Sequence, residues 1–323
     1  MNATAYQELA RRLPAPAERD LPPDRHRHHK ERLMRTIEDD RRRPYRRLVR
    51  PGFALPLAAV VASTLVVTVL PGSHEGSLET RVSLAEPGTP RGAVVLLDRI
   101  AAVAAKTDTE PVRDNQYVYV RSLSTETVRV KPVEVGGLRK REDWVPQDPR
   151  PSHDGGVFRE DGTLVSITNS DKYRAGIDRP TYKWLASLPT DPDALYERIR
   201  KETKPVQGQD FEQTVFDTFG TLLSRGVMPS PTEAALYKAA TKIPGVVEMQ
   251  DAVDADGRHG IAIAREDRQL GERTEWIFHK TSLEFLGQRT YLTKTSERGT
   301  AGTLIWANAI LDRAVVDQPR QTP

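Results

Sequence analysis

Residues 53–70 read FALPLAAVVASTLVVTVL, an 18-residue stretch without a charged or amide side chain. An α-helix of this length spans roughly 27 Å, which is close to the roughly 30 Å of a bilayer's hydrocarbon core. A helix packed on the core of a soluble protein carries a polar stripe, and this stretch has none. Pro56 falls in the first turn, where backbone amides lack helical partners in any case. The stretch therefore predicts a transmembrane helix, and a buried helix of a soluble protein is the alternative.

An arginine cluster precedes the predicted span and sets its direction. It has no acidic residue among its members, which are Arg41, Arg42, Arg43, Arg46, Arg47 and Arg50. Residues 71–79, on the other side, contain no Lys or Arg. Because excess Lys and Arg stay cytoplasmic, we expect the N-terminus inside and the C-terminal part outside the membrane. A cleaved signal peptide has a short charged region and an apolar region of about 7–15 residues, so the long N-terminal segment favours an uncleaved anchor.

The 323-residue chain has a formal net charge of +3 that conceals an uneven distribution. Residues 1–52 carry 14 Lys or Arg and 8 Asp or Glu, whereas residues 53–323 carry 34 and 37. The basic excess thus lies beside the span, where it predicts contact with anionic lipid and not direct binding of nucleic acid. The absence of cysteine from the sequence excludes disulfides, thiolate zinc sites and cysteine nucleophiles.

The N-terminal tail is too polar to bury a core of its own. Asp24 is placed to cap a helix whose few apolar residues, Leu33, Met34 and Ile37, share one face. We expect such a helix to fold on a partner protein and to present these three residues as its docking face.

Three histidines, His26, His28 and His29, lie close together within the same segment. A metal site is one interpretation, because His26 and His29 would share a helix face. The neighbouring basic residues repel a cation, and no acidic residue or cysteine completes a ligand set. A solvated basic face is favoured, and no metal or cofactor is expected.

Residues 13–40, LPAPAERDLPPDRHRHHKERLMRTIEDD, are followed by the arginine cluster, one span and a large outer part. This arrangement resembles an uncharacterised family of actinobacterial single-pass membrane proteins, often encoded beside sigma factors of the extracytoplasmic-function type. The resemblance implies a regulatory role, similar to that of an anti-sigma factor. A zinc site of one histidine and two cysteines, found in one group of anti-sigma factors, is excluded because the chain has no cysteine.

The outer part alternates between helical and strand patterns, which predicts an α+β domain. Helices are expected over residues 92–106, from Asp191, over 211–225, and from a capping box that starts at Ser230. Strands are expected over residues 116–121, 126–131, 140–145, 163–168, 246–250, 274–280 and 283–291, and residues 299–311 would form a last strand and turn. Turns are expected at Gly155-Gly156 and Asp161-Gly162, and residues 181–188 are extended or mixed.

The order of these elements is similar to that of LolA/RseB-type carrier and sensor domains, in which a curved antiparallel sheet wraps over helices. The resemblance implies a concave face that holds an acyl chain or a peptide, and an ordinary closed core is the alternative. The whole chain then divides into a basic cytoplasmic tail (1–52), a transmembrane helix (53–70), a stalk (71–90), an extracytoplasmic α+β domain (91–316) and a polar tail (317–323).

No catalytic constellation is found in the outer part. Asp254, Asp256 and Gly257 resemble part of a calcium loop, but the twelfth position is Arg265 where the loop needs glutamate, so a hairpin turn is favoured. The paired acids Asp210 with Glu212 and Glu266 with Asp267 are expected to be exposed. The four tryptophans, Trp144, Trp184, Trp276 and Trp306, are expected in the core or at its rim.

Two functions remain open from the sequence. The first is a regulatory or sensor protein that links the outer domain to a cytoplasmic transcription partner such as a sigma factor. The second is an envelope-anchored domain that binds lipid or peptide, with the tail serving only as an anchor. An enzyme is not expected.

Overall fold

The computed structural model describes residue 82 and residues 84–107, 110–130 and 133–323. Four features predicted for the N-terminal part lie outside the described residues. They are the docking face of Leu33, Met34 and Ile37, the histidine group, the predicted span, and the arginine cluster (Arg41, Arg42, Arg43, Arg46, Arg47 and Arg50). In the described part of the chain, every helix is too short or too polar to cross a membrane.

The described residues form an α+β domain with an antiparallel sheet, which confirms the expected fold class. The helices are α1 (Pro90–Ala104), α2 (Tyr182–Ala186), α3 (Pro192–Glu202), α4 (Phe211–Arg225) and α5 (Ser230–Ala240). The strands are β1 (Tyr117–Val130), β2 (Val133–Val135), β3 (Arg139–Pro146), β4 (Ser152–Glu160), β5 (Thr163–Tyr173), β6 (Val247–Val253), β7 (His259–Asp267), β8 (Glu272–His279), β9 (Phe285–Leu292) and β10 (Leu304–Val316). Their order across the sheet is β5-β4-β3-β1-β10-β9-β8-β7-β6, and β2 pairs with β1 alone.

Local capping signals explain where three of the helices begin. The side chain of Thr89 accepts a hydrogen bond from the amide of Gly92, and those of Asp191 and Asp210 accept from the amides of Ala194 and Gln213. Each bond satisfies one amide that the first helical turn leaves without a partner. The predicted capping box at Ser230 is wrong. Pro229 occupies the cap position of α5, and the Ser230 hydroxyl instead donates to the carbonyl of Thr107.

The main core lies between the helices and one face of the sheet. The ring of Phe216 on α4 stacks on Trp276 of β8, with centroids 3.9 Å apart and an interplanar angle of 8°. Both side chains are fully buried, and α5 packs in turn against α1 and α3. Trp144 is also buried, whereas Trp184 and Trp306 are half-buried, as expected for core and rim positions.

The opposite face of the sheet is also largely filled at the β6–β10 end. The turn between β6 and β7 folds over the sheet, and Nη2 of Arg258 donates to the carbonyls of Leu286 at 3.0 Å and Ile310 at 2.8 Å. Beneath it, buried Glu275 accepts hydrogen bonds of 2.6 Å from Nε of Arg289 and from the hydroxyl of Tyr291. This end of the sheet is therefore curled around a core of its own.

The described part of the predicted stalk packs against the domain. The amide of Val82 donates to the carbonyl of Gly302 at 2.8 Å, and the amide of Gly88 donates to the carbonyl of Glu248 at 2.9 Å. The first helix begins directly afterwards at Pro90.

Several predicted strand limits are wrong for identifiable reasons. Residues 116–121 and 126–131 were expected as two strands but lie largely in the single strand β1, because no Gly or Pro separates them and a bulge at Arg121/Ser122 adjusts the register. Gly155-Gly156 forms no turn and lies inside β4, where Gly156 takes a φ of 112° at a register shift. Residues 181–188 contain the short helix α2. The turn at Asp161-Gly162 is confirmed, with φ values of 46° and 86°.

We expect Phe216→Ala to lower the free energy of unfolding by roughly 3–5 kcal/mol, because it removes a buried ring and leaves a cavity beside Trp276. Val95→Ala is the matched control, since Val95 is 55% exposed on α1 and should change stability by no more than about 0.5 kcal/mol. Thermal or denaturant unfolding of the full chain in mild detergent measures both. Equal effects of the two substitutions would contradict the role given to the stacked pair.

Candidate functional site

An open cavity of about 510 Å³ lies beside the start of α5. It brings together three regions that are far apart in the sequence and includes four charged side chains. The residues that line it are Thr107, Glu110, Pro111, Arg113, Gln116, Gly226, Val227, Met228, Glu233, Arg313, Ala314 and Val315.

Arg313 reaches the cavity from β10 and is fixed by the last turn of α4. Its Nη2 donates to the carbonyls of Leu223 at 2.7 Å and Ser224 at 3.1 Å. Carbonyls at a helix C-terminus carry partial negative charge and have no partners within the helix, so a guanidinium is well placed there. Its Nε is buried and has no hydrogen-bond partner among the described residues. Burial lowers the pKa of Arg313, but an arginine stays charged in proteins.

Glu233 supplies the acidic group of the cavity from the first turn of α5. The only hydrogen bond described for its carboxylate comes from the hydroxyl of Tyr237, at a long 3.4 Å. Burial raises the pKa of Glu233, and the positive charge of Arg313 opposes that increase. The described structure shows no ion pair between Glu233 and Arg313, although each influences the pKa of the other. The cavity therefore presents a guanidinium and a carboxyl group that do not neutralise each other directly.

The rim of the cavity is held by the end of the chain. Nη2 of Arg113 and Nε2 of Gln116 both donate to Oδ1 of Asp317, each at 2.9 Å. Oε1 of Gln116 also accepts from the amide of Arg113 at 2.9 Å. These bonds fix residues 113–116 against the end of β10. Because Arg113 and Asp317 are largely exposed, we expect the pair to contribute little stability.

The chemistry of this lining suits hydrogen bonding to a polar ligand. Arg313 and Arg113 donate, Glu233 accepts or donates according to its protonation, and Gln116 does both. Val227, Met228 and Val315 add apolar contact area. The arrangement thus resembles ligand sites in which a few polar groups set orientation within a partly apolar cleft.

The residues expected from the sequence do not form this site. Glu233 was expected only as part of a capping box, and Arg313 was not singled out. The one local signal is that Asp312 and Arg313 interrupt the apolar run of β10, in a half-buried part of the strand. Glu233 and Arg313 meet only through the tertiary fold.

Two acidic residues outside the cavity are less exposed than the sequence predicted. Asp267 was expected to be exposed but is buried, and Asp210 is half-buried. Asp210 forms an ion pair of 2.5 Å with Arg265, and buried Asp267 accepts a hydrogen bond of 3.0 Å from the amide of Asp210. These groups fix the start of α4 to the end of β7.

Asp254, by contrast, belongs to the expected hairpin turn. Its Oδ1 accepts hydrogen bonds from the amides of Asp256 and Arg258, both at 2.9 Å, and its other oxygen pairs with the Arg258 guanidinium at 2.6 Å. The carboxylate is thus occupied within the turn.

Comparisons with protein families and with curated proteins give no relative from which to transfer a function. No protein-family model matches the chain, and no curated protein matches it. Across the residues that the structure describes, no three His, Asp or Glu side chains come close enough to hold a metal ion.

We expect Glu233→Gln to raise the free energy of unfolding at neutral pH. A carboxyl whose pKa is raised by folding contributes stability below its ordinary pKa and loses it as pH rises through the raised value. Glutamine stays neutral throughout, so the advantage of the variant over the wild type should shrink on acidification. Unfolding of the full chain between about pH 4 and 8 measures this difference.

Glu197→Gln is the control, because Glu197 is exposed on α3 and is not among the residues that line this cavity. A Glu233→Gln variant that is less stable than the wild type at every pH would show that Arg313 depends on an ionised Glu233, contrary to this account.

Proposed function

We propose that the chain is a single-pass membrane regulator whose extracytoplasmic domain senses a small polar ligand and whose cytoplasmic tail binds a transcription partner. The uncharged stretch of residues 53–70 and the arginines before it support the membrane orientation. The resemblance of residues 13–40 to actinobacterial proteins encoded beside sigma factors supports a sigma factor, or another component of the transcription machinery, as the partner.

The observation that carries the sensing role is the cavity around Glu233 and Arg313. A buried guanidinium nitrogen without a partner among the described residues and a half-buried carboxyl whose pKa is raised by desolvation are both costly to the fold. Such groups are characteristic of sites that have a function beyond stability. A ligand that hydrogen-bonds to either group offsets part of this cost and favours the conformation that binds it.

The second candidate is an envelope-anchored binder of lipid or peptide, with the tail serving only as an anchor. It would use the same cavity. Four of the lining side chains are charged, and the helices and the curled end of the sheet fill their own cores. These features favour a peptide or another polar molecule over an acyl chain.

Co-purification separates the two candidates. The full chain and a variant without residues 2–40 are purified in mild detergent, and the proteins that accompany each are identified by mass spectrometry. We expect a sigma factor or a polymerase subunit with the full chain alone. The same companions with both proteins, or none with either, would contradict the regulatory function and favour the envelope-side binder.

Substitution of the docking face tests the tail more finely. Replacing Leu33, Met34 and Ile37 together by Ser should abolish capture of the partner, because the three residues supply most of the apolar area of that helix. The control replaces Arg32, Arg35 and Asp39, which lie on the opposite face of the same predicted helix, by Ser. Capture that survives the first triple substitution, or that is lost equally in both, would exclude this docking face.

A further inference from the structure

Strand β5 forms one edge of the sheet and is exposed on both faces. Leu164 is 38% exposed and Val165 is 39% exposed, although they point to opposite sides of the strand. Among the described residues, β4 is the only strand that pairs with β5. Residues 163–170 contain no charged residue and no proline.

The opposite edge of the sheet is protected in a different way. On β6, the carbonyl of Glu248 accepts from the amide of Gly88, so the segment before α1 covers part of that edge. Glu248 and Asp251 also place charges on β6. Natural proteins usually protect edge strands with charges, prolines or a covering segment, because a bare edge is a template for another strand. The described part of the domain applies these devices to β6. On β5 the charged residues, Asp171 and Lys172, lie beyond residues 163–170, so that stretch of the edge is uncharged.

The turn between β4 and β5 determines which backbone groups of β5 are free. It has two residues, Asp161 and Gly162, both with positive φ, and it joins Glu160 to Thr163, which are partners in the ladder. Partners that flank such a turn are hydrogen-bonded, and hydrogen-bonded and free positions then alternate along the strand. Thr163 and Val165 therefore bond to β4, while the amides and carbonyls of Leu164 and Ser166 point outward.

The ladder shifts register opposite Ile167 and Thr168, where the amide of Gly156 donates to Oδ1 of Asp154. The carbonyl oxygen of Asn169 lies 3.0 Å from Nδ1 of His153 on β4, so Asn169 faces β4 and Thr168 again points outward.

We propose that β5 pairs antiparallel with β5 of a second copy of this chain, about a two-fold axis at Ser166. In this register Ser166 faces its own copy, and Leu164 faces Thr168 of the partner copy through outward backbone groups. Val165 faces Ile167 of the partner copy, which gives two β-branched cross-strand contacts on one side of the joined sheet. No like charges oppose each other between residues 164 and 168.

A second copy fits this edge because the segment is its own antiparallel complement. A closed two-fold interface uses the same surface on both subunits, and it requires this self-complementarity. The contact is independent of the cavity around Glu233 and Arg313. In a membrane-anchored chain it would bring two outer domains, and therefore two cytoplasmic tails, into one assembly.

Cysteine cross-linking tests both the contact and its register, because the chain has no native cysteine. Facing hydrogen-bonded residues lie about 5.5 Å apart at Cα, within the range of about 4.4–6.8 Å that a disulfide needs. Ser166→Cys in the full chain, in membranes under mild oxidation with copper phenanthroline, should give a covalent dimer.

Leu164→Cys alone should not cross-link, since the two copies of residue 164 would lie four residues apart along the strands, roughly 14 Å. Leu164→Cys mixed with Thr168→Cys should restore the dimer. Ala102→Cys, on an exposed position of α1, gives the rate of random collision. If Ser166→Cys cross-links no faster than Ala102→Cys, the proposal is overturned. This holds both for an edge that is free and for an edge that is occupied by another peptide.

A proline substitution provides a second test that does not depend on oxidation. Ser166→Pro removes an outward amide and keeps the bonds to β4, as edge strands tolerate. We expect light scattering in mild detergent to show a dimer for the wild type and a monomer for Ser166→Pro, with unchanged circular dichroism. A wild type that is monomeric, or a folded Ser166→Pro variant that is as dimeric as the wild type, would overturn the proposal.

Discussion

The packing of α4 on β8 is the contact on which the rest of the domain depends. Phe216 stacks on Trp276, and one turn later Gly220 approaches the sheet so closely that a Cβ would lie 2.4 Å from Oε1 of Gln288 and 2.7 Å from Nε1 of Trp276. Gln288 then donates to the carbonyl of Gly220 at 3.0 Å and to the hydroxyl of Ser224 at 2.7 Å. The helix is thereby fixed along its length. Its last carbonyls lie where Arg313 can reach them, so the same packing that builds the core also places the basic group of the cavity.

Two charge arrangements, one buried and one half-buried, show two different environments for ionic groups in this domain. Glu275 is paired with Arg289 and hydrogen-bonded to Tyr291, so its charge is compensated within the β6–β10 end of the sheet. Removing one partner from such a buried pair costs several kcal/mol, about 3–5 in measured cases. Glu233 and Arg313 each influence the pKa of the other, but the described structure shows no ion pair between them. Glu275 therefore lies in a network that pairs its charge, whereas the two charged groups of the cavity are hydrogen-bonded separately, Arg313 to α4 and Glu233 to Tyr237.

The sequence predicted what depends on local chemistry and missed what depends on distant contacts. The cap at Asp191 and the turn at Asp254–Gly257 follow from side chains that bond to amides a few residues away. The turn at Asp161-Gly162 follows from two residue types that tolerate a positive φ. The pair Gly155-Gly156 was misread as a turn because glycine also suits a bulge inside a strand, and only the pairing of β4 with β3 and β5 decides between them. The cavity could not be predicted from the sequence, because Glu233 and Arg313 are brought together by a helix and a strand that are widely separated in the sequence.

Local sequence patterns predicted the antiparallel sheet but not the order of its strands. Alternation of side chains and turn residues identifies strands along the chain. The neighbour relation between β1 and β10, which joins the two ends of the domain and creates the wall of the cavity, is a long-range pairing without a local signature.

Cysteine accessibility tests the central claim, that the described domain lies outside a membrane crossed once by residues 53–70. Single cysteines replace Glu297, which is exposed in the domain, or Asp20 in the tail, and intact cells are treated with a membrane-impermeant maleimide. The account predicts labelling of Glu297→Cys in intact cells and labelling of Asp20→Cys only after the membrane is permeabilised. Labelling of Asp20→Cys in intact cells, or of Glu297→Cys only after permeabilisation, would contradict it.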